Sequence, residues 1–141
     1  LAKVTDVAKK FLLLSNENNL TAITPLKLQK LVYYAQAFHL KNNNERLFKS
    51  DILAWDHGPI VRILYDLYRD YGYHIIPPNP DDEDRINLTE KEIKTINKVF
   101  EEYGELNGKV LEEMTHQETP WLSTNRNNVI SIDKIEEYFK S

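Results

Sequence analysis

Four histidines, His39, His57, His74 and His116, have the widest chemical range in this chain. An imidazole can ligate a metal or carry a proton near neutral pH. The four lie far apart, and none belongs to a His-Glu-x-x-His or similar local spacing. No metal site is therefore expected. Cysteine is absent, which removes disulfides, thiolate ligands and cysteine nucleophiles together. Asp56-His57 and His116 with Glu118 are acid–imidazole neighbours. Adjacent residues on a strand or helix point different ways, so Asp56 is badly placed to orient His57. His116 and Glu118 can meet in a turn, which keeps a metal-independent hydrolase as a rival. The preferred role for His116 is structural, as an inter-loop hydrogen-bonding residue closing a corner against Trp121. There is no Gly-x-Ser-x-Gly elbow. The four glycines, Gly58, Gly72, Gly104 and Gly108, are isolated and make no phosphate cradle. No catalytic residue, metal or cofactor is assigned, and the chain is not expected to be an enzyme.

Binding chemistry is better supplied. Lys27, Lys30 and Lys41 share a helical stripe with Tyr34, and a DNA-binding regulator is kept as a further alternative. A recognition helix also needs a preceding short helix and tight turn, and the connection from the first helix to Thr24 is too long for one. The formal charge of −4 argues against a nucleic-acid footprint, and nucleic acid is not expected as a partner. Eight tyrosines and two tryptophans are many for 141 residues. Tyr33, Tyr34, Trp55, Tyr65, Tyr73 and Trp121 fall near breaks or helix edges. Tyr, Trp and Arg dominate protein–protein interfaces, although core packing of the rings is the competing explanation, and the favoured one for both tryptophans.

Length and composition suit one soluble domain, taken here as residues 1–141. The longest apolar run near the start, Phe11 to Leu14, is far too short for a membrane span or a signal sequence. A cytosolic protein that does not engage a membrane is expected.

The elements that must carry these residues read as helices. Thr5 or Asp6 can cap a first helix running to about Glu17, with Asn16, Asn18 and Asn19 as breakers. Thr24 and Pro25 open a second helix to about Lys41. That helix is apolar on two sides, with Leu28, Leu31, Val32, Ala35, Phe38 and His39 on one and Leu26, Tyr33, Ala37 and Leu40 on the other. It must be central to its domain or have a second partner. Leu47 to Trp55 reads as a short helix from Ser50 or as a short strand. Pro59 restarts a helix whose inner face is Ile60, Ile63, Leu64, Leu67, Tyr68 and Tyr71, and Gly72 stops it. The acidic, proline-rich stretch 77–87 is an internal loop without regular structure. Thr89 and Glu92 form a capping box, Asn107 caps the next helix, and Pro120 breaks it. Ser131 caps the last helix, with Ile130 and Ile135 as a staple. The sum is an all-α single compact domain of six or seven helices, with at most one short strand pair.

Three segments together carry a resemblance. They are Ile23-Thr24-Pro25-Leu26-Lys27-Leu28-Gln29-Lys30-Leu31 with Tyr33-Tyr34-Ala35-Gln36-Ala37, then Ala54-Trp55-Asp56-His57-Gly58-Pro59-Ile60-Val61 with Tyr65, and Leu111 with Thr115-His116-Gln117-Glu118-Thr119-Pro120-Trp121. In order and spacing the chain resembles the SocA-like, GepA-like (phage-associated) antitoxin family, the Panacea domain, from about Val7 to Phe139. The resemblance implies a helical domain without established catalytic residues. It implies an antitoxin of a type II-like toxin–antitoxin pair that neutralises a cognate toxin by direct protein contact. The alternative it carries is a proteolytic adaptor that delivers the toxin to an ATP-dependent cellular protease, and a homo-oligomer is left open. Among the matching positions, Pro25, Gly58, Pro59, His116, Pro120 and Trp121 are expected to be structural. Lys30, Tyr33, Tyr34, Trp55, His57, Arg62 and Tyr65 are expected to touch the partner.

Overall fold

A helix that is apolar on two sides has to be surrounded, and this one is. In a computed structural model, which describes residues 1–17 and 19–141, helix α2 (Pro25–Asn43) forms the axis of the molecule. Around it lie α1 (Val4–Leu14), a hairpin of β1 (Leu53–Trp55) and β2 (Gly58–Ile60), α3 (Arg62–Tyr68), α4 (Glu90–Tyr103), α5 (Gly108–Thr115), α6 (Thr119–Leu122) and α7 (Ile132–Lys140). The described residues thus form a mostly helical, single compact domain with one two-stranded antiparallel sheet. Helices α1, α3, α4, α5 and α7 and strand β2 all pack on α2. Every α2 residue from Lys27 to Ala37 is buried.

Encasement forces the polar residues of α2 to find partners, because an unpaired buried donor or acceptor costs about 1–3 kcal/mol. They find them on the backbones of neighbouring segments. The Gln29 amide donates to the Val61 carbonyl at 3.1 Å and accepts from the Val61 N–H at 2.8 Å. Gln36 likewise donates to the Phe48 carbonyl at 2.9 Å and accepts from the Leu47 N–H at 2.6 Å. Lys27 donates to the carbonyls of Leu20 and Gly104, at 3.1 and 2.6 Å. His39 shares a hydrogen bond of 2.7 Å with the Thr95 hydroxyl on α4. The central helix therefore holds the loops as well as filling the core.

The local signals at helix starts are realised at four sites. Thr24, Asn107 and Ser131 each accept from the N–H three residues on, and Thr89 and Glu92 close a reciprocal box. Ile130 and Ile135 are both buried beside the Ser131 cap. Asn44 ends α2 in the left-handed conformation at φ 56°.

Several expectations need correction. Helix α1 starts after Lys3, which makes no side-chain cap, and Asp6 lies inside it. The Asp6 carboxylate instead accepts from the Asn87 N–H at 3.2 Å. The helix stops at Leu14, where the Ser15 hydroxyl donates to the Leu12 carbonyl; of the expected breakers, Asn18 lies outside the described residues. Of the two expectations for Leu47 to Trp55, no helix starts at Ser50 and the short strand holds, over Leu53–Trp55. Its register pairs Leu53 with Ile60 and Trp55 with Gly58, and segment 127–130 bonds to its other edge. Pro59 sits in β2 and does not open α3. Its missing N–H is tolerated in a two-stranded sheet, and Gln29 holds the Val61 N–H, so the helix begins only at Arg62. Within 77–87, Pro80–Asp84 forms a 3-10 turn capped by the Asn79 side chain, and Asp82 faces Lys9 of α1 at 4.0 Å. Pro120 stands in the first turn of α6, a position proline suits.

Candidate functional site

The hairpin and α3 place four of the expected contact residues on one outer surface. The connection Asp56–His57 projects from the sheet, and the His57 side chain is 77% exposed. Trp55 and Tyr65 are half-buried and meet edge to face, with ring centres 4.9 Å apart. The Arg62 guanidinium lies 5.6 Å from the Trp55 ring centre and 6.0 Å from that of Tyr65, and Arg69 lies 5.1 Å from Tyr65. Cations over aromatic faces at such distances contribute about 0.5–1 kcal/mol when exposed. They also stiffen the guanidinium groups, whose edges still carry donors. The Arg62–Asp66 pair at 3.3 Å is exposed and adds little.

Sequence periodicity missed part of this surface. Ile63 and Leu67 were expected in the core with Leu64, yet they are 48% and 55% exposed, and only Leu64 of α3 is buried. Helix α3 has seven residues and rests on α2 along a narrow stripe, which leaves an apolar pair beside the aromatic–arginine row. Tyr71 and Tyr73 continue the exposed apolar surface beyond the helix.

Lys30, Tyr33 and Tyr34 are not on that surface, which corrects their expected role as contacts. Each has at most 1% of its surface exposed, because the face of α2 that looked unclaimed is covered by α5, α7 and the hairpin. The Tyr34 hydroxyl donates to Glu118 at 2.8 Å. The Tyr33 hydroxyl and the second Glu118 oxygen are buried without a hydrogen bond of ordinary geometry. Burial pushes the Glu118 carboxyl up to about 7 against the pull of the two tyrosines, and burial and the nearby carboxylate push both tyrosine hydroxyls up as well. Desolvation lowers Lys30 to about 7, opposed by Glu112, and lowers Lys27 to about 8, opposed by Glu105. With Lys27 and Lys30 enclosed, the lysine stripe considered for DNA keeps only Lys41 at the surface.

The residues expected to be structural form a clasp under the hairpin. The Trp121 indole N–H donates to the Trp55 carbonyl at 2.8 Å. His116 stacks on Trp121 with ring centres 4.1 Å apart, and Arg126 covers Trp121 at 3.7 Å. His116 therefore meets Trp121 by stacking, while its Nε2 is buried without the hydrogen bond expected of it. Glu118 bonds to Tyr34 and His116 Nε2 has no hydrogen-bond partner, so His116 and Glu118 do not form the expected rival acid–imidazole pair. Among the described residues, no group of three or more His, Cys, Asp or Glu side chains is arranged to hold a metal. Pro25 opens α2, and Gly58 and Pro59 form the strand that crosses it.

Glu112, Gln29 and Gln36 were not singled out by spacing, and Glu118 only as a neighbour of His116. A buried lysine needs a counter-charge, but nothing local marks which acid, eighty-two residues away in the case of Lys30 and Glu112, supplies it.

No curated protein and no solved structure matches the chain at a significant level. The family model described as antitoxin SocA-like, Panacea domain, matches residues 28–122, from the second turn of α2 to the end of α6. The match is narrower than the resemblance from Val7 to Phe139 and leaves out α1, α7 and Arg126, while it contains the hairpin, α3 and the His116–Trp121 stack. Over two thirds of its length the sequence fits that model, and the chain belongs to the SocA-like antitoxin family, as a Panacea domain.

Proposed function

We propose that this chain is the antitoxin of a type II-like toxin–antitoxin pair and that it neutralises its cognate toxin sterically, by direct contact through Trp55, His57, Arg62, Tyr65 and the flanking Ile63 and Leu67. The observation that carries the reading is the composition of the hairpin–α3 surface in a chain of this family. It combines a tryptophan, a tyrosine and stacked arginines with exposed aliphatic side chains. Such residues supply most of the binding energy at protein interfaces, whereas scattered charges do not. The buried acid, tyrosines and lysine serve as its support. Among the described residues no helix is long and apolar enough to cross a membrane. As an antitoxin the protein is read as acting beside its toxin, in the cytosol.

The test is co-expression with the growth-inhibiting gene encoded beside it. The wild-type chain restores growth and co-purifies with the toxin, and Trp55→Ala with Arg62→Ala loses both while remaining folded. Toxin half-life in a protease-deficient strain separates the mechanisms. Steric neutralisation leaves the half-life unchanged, and an adaptor for an ATP-dependent protease shortens it only where the protease is present.

A further inference from the structure

Lys30 has no exposed surface. Burial strips the hydration from an ammonium group, so such a lysine persists only where specific groups replace the water. The replacements come from outside α2. Its Nζ donates to the Pro59 carbonyl in β2 at 2.9 Å, and the Glu112 carboxylate on α5 supplies the counter-charge. Glu112 is itself buried and reaches outward, 3.3 Å from His57 Nδ1 in the hairpin turn and 3.7 Å from Lys109 Nζ. Gly58 seals the arrangement. Its φ is +103°, and a Cβ there would lie 2.8 Å from Lys30 Cε and 2.8 Å from Thr115 Oγ1. The turn can pass over the lysine only as glycine.

We propose that Lys30 is a positioning residue for the partner-binding surface: its ammonium seats the β1–β2 hairpin, with Glu112 as counter-charge, and so fixes Trp55 and His57 and the entry to α3. A leucine or methionine would fill the volume without losing hydration, so what the ammonium adds is a directed bond to the hairpin backbone. The surface's use rests on the function proposed above, while the seat itself can be examined without any toxin. The charged group that acts on Lys30 from its packed neighbours is Glu112 on α5, which in turn meets His57 of the turn and Lys109. The low affinity of Lys30 for its proton then makes the hairpin respond to pH near neutrality.

The two tryptophans of the chain report on this joint, since Trp121 donates to the Trp55 carbonyl. Their indole N–H signals are followed by NMR between pH 6 and 8 in the full chain. Wild type shifts both signals with a midpoint near 7, and His57→Gln and Glu118→Gln, the second removing the other group that ionises near 7 beside Trp121, both retain that transition. Lys30→Met moves the signals and abolishes it. Should that variant not fold, Lys30→Met with Glu112→Gln removes the orphaned charge and carries the same expectation. A core control, Val99→Ala on α4, lowers Tm but leaves both signals in place. Growth rescue against the adjacent toxin falls at least tenfold in the Lys30 variant. Wild-type indole positions and pH profile in the lysine variants would overturn the seat. An intact seat effect with undiminished rescue by Trp55→Ala would overturn the surface reading and not the seat.

Discussion

At the residue scale, the molecule keeps its ionisable side chains in the interior where a sequence reader places contacts. Glu118 shows the consequence most simply. Its folded-state pKa, about 7, lies above the ordinary 4.5, so the folded protein binds the proton more tightly than the unfolded chain. Stability from this group is complete below about 4.5 and is lost as pH rises through 7. In Glu118→Gln the carboxyl that must ionise is gone. The melting temperature of Glu118→Gln relative to wild type therefore rises between pH 5 and pH 8, by on the order of 3 °C. Thermal melts of both proteins at matched pH check this, and a pH-independent difference would refute it. Lys27 and Lys30 act with the opposite sign, since their folded pKa values of about 8 and 7 lie below 10.5. Their contribution is present above 10.5 and is lost as pH falls through 8 and 7. None of this was legible in the sequence. Tyr33, Tyr34 and Lys30 have the chemistry of interface residues, and only the elements packed around α2 decide that they point into the protein. The meeting of His116 with Trp121 was legible from their closeness in sequence, although Pro120 opens a short helix there and does not break one, and the contact is ring stacking without the expected hydrogen bond from Nε2.

At the scale of elements, the signals that worked were short in range. A cap, a capping box and a staple each involve residues within five positions of one another, so their partners can be read directly. Those that failed needed distant partners. Nothing near Pro59 says that Gln29, thirty residues earlier, holds the next free N–H and turns the segment into a strand. The role of α2 as a backbone clamp leads to a stability prediction. Gln36→Ala strips the Leu47 N–H of its buried partner and leaves the Phe48 carbonyl only its 3.3 Å bond from Arg46, and should cost about 2–4 kcal/mol, from one stripped group at about 1–3 kcal/mol and one further hydrogen bond at about 1 kcal/mol. Urea denaturation measures it, and a loss below 0.5 kcal/mol would mean that the loop does not depend on α2. Helix α3 gives the complementary test of which side faces the core. Leu64→Ala should destabilise by about 2–5 kcal/mol. Leu67→Lys should change stability by no more than about 0.5 kcal/mol while abolishing growth rescue. A large destabilisation by Leu67→Lys would return that side chain to the core.

At the scale of the whole molecule, the fold divides labour between an encased helix and a decorated rim. The axis holds the loops in place, the clasp of His116, Trp121 and Arg126 fixes the hairpin, and the hairpin with α3 presents aromatic, arginine and aliphatic side chains together. The class of fold followed from helix punctuation and two-sided α2 alone. Family membership followed from three segments whose residues, in the structure, prove to lie around one joint: the α2 face, the hairpin that crosses it, and the clasp beneath. The claim that matters most is that this rim binds a toxin directly. Isothermal titration of the purified chain into the purified product of the adjacent growth-inhibiting gene tests it. The account predicts stoichiometric binding that Trp55→Ala with Leu67→Lys weakens at least tenfold at unchanged melting temperature. Absence of binding, or binding indifferent to both substitutions, would contradict it.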